Sequence, residues 1–149
     1  MQRSTALEIE QAVVRLLASR EHSRAELAAK LAHKGFAADA LEQVLDDLAE
    51  RGLQSDARFT EQFVAARMRR GSGPLKIRAE LRQRGVAEEL IARELDIDPE
   101  VWLERLRLVH ERKFGSAPPS DRKDMARRIR FLESRGFSGE LIQRLLRER

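Results

Sequence analysis

A six-residue signature occurs as LAHKGF at 31–36, again as LRQRGV at 81–86, and again as LESRGF at 132–137. Its glycines, Gly35, Gly85 and Gly136, are 50 and then 51 residues apart, and a fixed period of this length marks a fold assembled from repeated supersecondary units. Each glycine follows a polar or basic stretch and precedes Phe36, Val86 or Phe137. The residue just past a helix end commonly adopts a left-handed conformation, which glycine reaches without a Cβ penalty. Farther on, Ala40/Leu41, Leu90/Ile91 and Leu141/Ile142 match, as do Leu45, Leu95 and Leu146.

Apolar residues between these landmarks recur at i, i+3 and i+4, the period of an amphipathic helix. One stripe is Ile9, Val13, Leu16 and Leu17; another is Phe59, Phe63, Val64 and Met68; a third is Val101, Trp102, Leu106, Val109 and Phe114. The spacing predicts helices over 5–20, 23–34 and 38–51, then 55–70, 73–84 and 87–95, then 98–114, 120–135 and 138–148. Ser23 with Glu26 reads as a capping box, and Ser138 as a helix start. Pro99 in DIDPE suits the first turn of a new helix and GSAPPS, 115–120, reads as a turn.

The expected fold class is therefore all-α: tandem three-helix, helix-turn-helix-like repeats over 1–52, 53–97 and 98–149. Small three-helix units bury their remaining apolar faces by stacking, so an elongated or curved array is expected. Arg, Leu, Ala and Glu dominate the composition and Tyr is absent, which favours helix over strand because unbranched side chains lose little rotamer freedom in a helix.

Most chemistry is excluded by the residues available. There is no Cys, so thiolate metal, redox and disulfide sites are impossible. His22, His33 and His110 fall at no metal-ligand spacing, and the carboxylate pairs Asp46/Asp47 and Asp96/Asp98 have no companion ligand. The stretch RMRRGSGPLKIRAELRQRG, 67–85, suggests a phosphate loop, but Gly71-Ser72-Gly73-Pro74-Leu75-Lys76 has the wrong spacing, follows a helix, and loses a donor at Pro74. Trp102 lies on an apolar stripe and reads as core. No catalytic, cofactor-binding or metal residues are expected, and no cofactor. Without an uninterrupted apolar segment near its start, the chain is expected to be soluble and cytoplasmic, with no membrane partner.

What remains is charge. The net charge of +4 hides a gradient: residues 1–52 hold 7 basic against 9 acidic side chains, 53–97 hold 9 against 7, and 98–149 hold 13 against 9. Between 67 and 85, Arg67, Arg69, Arg70, Lys76, Arg78, Arg82 and Arg84 face one acid, Glu80. In the third repeat Arg122, Lys123, Arg127, Arg128 and Arg130 form a second basic run. These twelve are the candidate partner- or DNA-binding residues, able to track a phosphate backbone or meet an acidic protein groove. Base reading by a recognition helix is disfavoured, because the third helices begin VAEELIARE and FSGELIQRL, with acids that repel phosphate.

The segment Ser55 to Val86 resembles the RecX family, regulators of the RecA recombinase. The likeness rests on Asp56, Phe59, Phe63, Arg67, Gly71, Gly73, Lys76, Ile77, Leu81, Arg84 and Gly85, and the three-repeat layout agrees with it along the chain. The resemblance implies a non-enzymatic protein that binds the RecA–DNA filament, contacting RecA and single- or double-stranded DNA within it. It implies inhibition of recombinase, ATPase and coprotease activity, and so modulation of DNA repair, DNA recombination and the SOS response. A monomer is expected. The alternative left open by the residues is a stand-alone helix-turn-helix-like DNA-binding protein.

Overall fold

The computed structural model describes residues 2–148, with side chains from residue 5 onward; positions 1 and 149, the outer limits of the first and third expected repeats, lie outside the described residues. Among these residues there are helices and turns but no strands. The helices are α1 (Gln2–Ser19), α2 (Arg24–His33), α3 (Ala38–Glu50), α4 (Asp56–Arg69), α5 (Pro74–Gln83), α6 (Glu88–Leu95), α7 (Pro99–Phe114), α8 (Arg122–Ser134) and α9 (Gly139–Arg147). Each lies within two or three residues of an expected helix. None is long and apolar enough to cross a membrane.

The recurring glycines do what their position demands. Gly35, Gly85 and Gly136 have φ of 99°, 77° and 99°. In each case the next residue closes a six-residue ring back to the helix: Phe36 N–H donates to Leu31 O at 3.2 Å, Val86 N–H to Leu81 O at 3.2 Å, and Phe137 N–H to Leu132 O at 3.3 Å. This is the Schellman stop, with the aromatic or branched residue folded back on the helix it leaves. Val86 and Phe137 are buried, and Phe36 packs against the first core.

The chain forms two compact units, and the middle three helices contribute to both. The first comprises 1–62 and 81–91, the second 63–80 and 92–149. In the first, α1, α2 and α3 pack on one another around Ile9, Val13, Leu27, Leu31, Leu41, Val44, Leu45 and Leu48. In the second, α7, α8 and α9 pack mutually, burying Trp102, Leu103, Leu106, Leu132, Phe137, Ile142 and Leu145. Trp102 is core, as its stripe predicts.

A helix start holds a signature turn inside each unit. In the first, the Gly85 turn sits on the start of α2: Ser23 Oγ donates to Arg84 O at 2.7 Å while accepting from Glu26 N–H at 3.1 Å. The capping box is completed by Ser23 N–H on the Glu26 carboxylate at 3.0 Å, and Arg84 pairs with Glu26 at 2.9 Å. Burial opposes ionisation of Glu26, yet its bonds from Arg20 and Ser23 and the nearby Arg84 charge together hold its carboxyl below the usual range. In the second unit the Gly136 turn sits on the start of α5. There Gly73 N–H donates to Arg135 O at 2.7 Å and Leu75 N–H donates to Gly136 O at 3.0 Å. The donor to the turn's main-chain carbonyl is thus the Ser23 hydroxyl in the first unit and free N–H groups at the helix start in the second, where donor and acceptor satisfy each other.

Beside the first of these contacts, His22 is 1 % exposed. An ammonium only donates, so Lys30 Nζ at 3.0 Å fixes His22 Nε2 as acceptor, and Nδ1–H donates to Arg20 O at 3.0 Å. Burial, with the Arg20 and Lys30 charges, lowers the His22 pKa, against raising contributions from the Arg20 carbonyl and Glu26. Its neutral form is thus the folded form, and that stability is fully present above the ordinary histidine value, about 6.5. As pH falls below that value, the unfolded chain gains a proton that the folded chain resists, and stability drops. His22→Gln is expected to flatten the loss of melting temperature between about pH 7.5 and 5.5; an unchanged slope in a pH series of thermal melts would contradict this.

Candidate functional site

The two basic runs divide into paired and unpaired cations. Arg67 lies half-buried on α4, with its Nε 3.2 Å from the Glu80 carboxylate and its guanidinium 4.4 Å from the Phe63 ring centre. Arg82 pairs with Glu88 across two exposed side chains, a contact that competing anions readily replace. Arg84 is committed to Glu26 and to the turn that docks on α2. Arg78 is half-buried, while Arg69, Arg70 and Lys76 are exposed. Arg82 and Arg84 belong to the first unit, and Arg67 to Arg78 to the second.

On α8 the run splits by helix face. Arg122, Lys123 and Arg130 are exposed. Arg127 is exposed too, paired with Asp124 at 2.7 Å and lying 5.1 Å from the Phe114 ring centre. Arg128 is different: it is 5 % exposed, pairs with Asp124 at 3.1 Å and donates to Ala117 O at 2.8 Å. It fastens the 115–121 loop to α8 and presents no charge to a partner. Asp124, accepting from Ser120 N–H and paired with Arg127 and Arg128, has its pKa lowered to about 2. That carboxylate stabilises the start of α8 above the ordinary aspartate range and loses the effect as pH falls toward 2.

A further cation cluster lies partly outside both runs. A groove in the second unit is lined by Arg69 and Arg70 at the end of α4, Arg105, Arg112 and Lys113 on α7, and Arg135 at the end of α8. Its volume is about 260 Å³, no carboxylate lines it, and Met68, Leu108, Val109 and Phe131 supply apolar wall. Arg135 is held in place, donating from Nη2 to Arg70 O at 2.7 Å. Among the described residues, Arg69, Arg70, Arg105, Arg112 and Lys113 enter no ion pair. Sequence reading caught Arg69 and Arg70 and passed over the others. Arg105 and Arg112 are seven residues apart on one helix, so two turns bring them to one face, but they are diluted by Glu104 and Glu111.

No group of described residues is arranged to hold a metal ion. Packed helices closed by recurring glycine turns define an all-α helical-repeat protein. The chain belongs to the RecX family. The family's models for the first, second and third three-helix domains of RecX match residues 11–48, 55–95 and 100–146. It is 47 % identical over 136 residues to the regulatory protein RecX of Halorhodospira halophila, covering 91 % of this chain and 84 % of that one. It is 43 % identical over 145 residues to the regulatory protein RecX of Pseudomonas fluorescens, covering 95 % and 92 %. Two solved structures share the fold. RecX from Lactobacillus salivarius superposes with a TM-score of 0.83 at 18 % identity, over 97 % of this chain and 96 % of that one. A crystal structure of regulatory protein RecX gives 0.82 at 22 %, over 99 % of this chain and 74 % of that one. This chain is accordingly a non-enzymatic regulator.

Proposed function

We propose that the protein binds the RecA–DNA filament and inhibits its recombinase, ATPase and coprotease activities, modulating DNA repair, recombination and the SOS response. It acts in the cytoplasm as a monomer without a cofactor, through the three repeats at 1–52, 53–97 and 98–149. The observation that carries this reading is membership of a family of regulatory proteins along nearly the whole chain, joined to unpaired exposed cations on α4, α5 and α8. Arg69, Arg70, Lys76, Arg122, Lys123 and Arg130 are the candidate contacts to filament acids or phosphates, with Arg78, Arg82 and Arg127 beside them. Arg67, Arg84 and Arg128 hold the frame that carries them.

The measurement is RecA ATPase on single-stranded DNA. Turnover should fall at stoichiometric amounts of this protein, and Arg69→Glu with Arg70→Glu should raise the half-inhibitory concentration by about tenfold or more, as for charge reversal at a complementary interface. No change in ATPase at stoichiometric amounts would sink the reading. The free cations also fit a stand-alone DNA-binding protein. Against it, α6 and α9 begin with Glu88, Glu89 and Glu140 in their first turns, where a groove-reading helix would meet phosphates. Tight, salt-steep DNA binding without RecA would favour that second reading.

A further inference from the structure

The groove between the end of α4, α7 and the end of α8 has two properties that together name its occupant. It is electrostatically one-signed, with six cationic side chains and no acid, and a wall of one sign attracts and orients an opposite charge. Its apolar wall is largely aliphatic. Leu108, 47 % exposed, lies there with Val109 and Met68, and exposed aliphatic surface inside a charged rim is the anatomy of an anchor pocket.

The aromatic side chain present does not offer a stacking platform. Lys113 Nζ lies 5.2 Å and the Arg135 guanidinium 5.7 Å from the Phe131 ring centre, and Phe114 and Phe131 form a T-shaped pair with ring centres 5.6 Å apart. A nucleobase needs a bare π-face to stack. An aliphatic side chain does not.

We infer that this groove binds an acidic protein segment that seats one aliphatic side chain on Leu108 and Val109 while its carboxylates meet Arg69, Arg112 and Lys113. The occupant is a polypeptide with a leucine-like anchor flanked by Asp or Glu. Charge complementarity sets its orientation and rate of arrival, and the anchor sets its residence time. The inference concerns the chemistry of this groove and does not depend on which larger assembly supplies the segment, so it can hold whether or not RecA turnover responds.

The test uses the full-length protein and fluorescence anisotropy with a labelled Asp-Glu-Glu-Leu-Asp-Glu peptide. Binding is expected, weakening with salt, and falling about tenfold when leucine is replaced by serine in the peptide, the scale set by losing one buried anchor. Arg112→Glu combined with Lys113→Glu should weaken it at least as much. Leu108→Asp, at an exposed position, is the second variant and should do the same while leaving the helical circular dichroism unchanged. Absence of peptide binding, equal binding by the serine peptide, or equal binding by the folded variants overturns the inference. So does displacement of the peptide by a short oligothymidine at lower concentration than by unlabelled peptide, which would assign the groove to nucleic acid.

Discussion

Gly136→Ala should destabilise the protein by about 4 kcal/mol, whereas Gly35→Ala, at the same place in its own repeat, should cost only about 1–2 kcal/mol. Both glycines have φ of 99°, so the conformational penalty of an L side chain is common to the two substitutions. The surroundings separate them. A Cβ on Gly35 meets nothing within 4 Å, but on Gly136 it falls 2.5 Å from Lys76 Cβ, 2.7 Å from Lys76 N and 3.0 Å from Gly73 O. Two of these are backbone atoms at the start of α5, which cannot rotate aside. To make room, the turn must withdraw, loosening Gly73 N–H to Arg135 O and Leu75 N–H to Gly136 O, each worth about 1 kcal/mol net and more if left buried and unpaired. Urea titration of both variants checks the contrast; equal losses would mean that the docked turn contributes nothing beyond its own conformation.

Those two glycines also show what can be read from residues alone. The signature carries the helix stop at Gly35, Gly85 and Gly136, because a left-handed C-terminal residue is a local requirement. It does not carry the second role of Gly85 and Gly136, where the turn lies against Ala25 or Lys76, since that neighbour is about sixty residues away in sequence. Helix ends were legible to within a few residues for the same reason: caps such as Ser23, Asp98 and Ser138 act locally. The expected start of α8 at 120 falls short of the observed Arg122 because Ser120 and Asp121 are spent on Asp124, as donor and as cap. Charge was the hardest to place. Arg82 and Arg84 read as equivalent members of one run, yet one pairs with Glu88 at the surface and the other with Glu26 across 58 residues. For Arg128 a signal was available: it lies four residues before Leu132 and so on the buried stripe of α8, unlike Arg127 and Arg130.

That buried arginine yields the second large effect. Arg128→Met keeps an apolar stem but removes the guanidinium, which lies 5.1 Å from the Phe114 ring centre. Ala117 O then loses its 2.8 Å bond, and Asp124 loses the cation at 3.1 Å. Asp124 retains Ser120 N–H and Arg127, and exposure of the loop lets water reach some freed groups, so the expected cost is about 2–4 kcal/mol rather than the larger penalty of a sealed ion. A marker reports the site independently of stability. His110 Nε2 lies 3.3 Å from Arg128 Nη1, and burial first, then the Arg128 charge, lowers its pKa. Removing that charge should raise it, as should the opening of the 115–121 loop, so both consequences of the substitution move His110 in one direction. An NMR titration of His110 reads this shift, and limited proteolysis should find the loop cut sooner. If the His110 titration and the loop's protection both stay as they are in the parent protein, Arg128 is not the clasp of that loop.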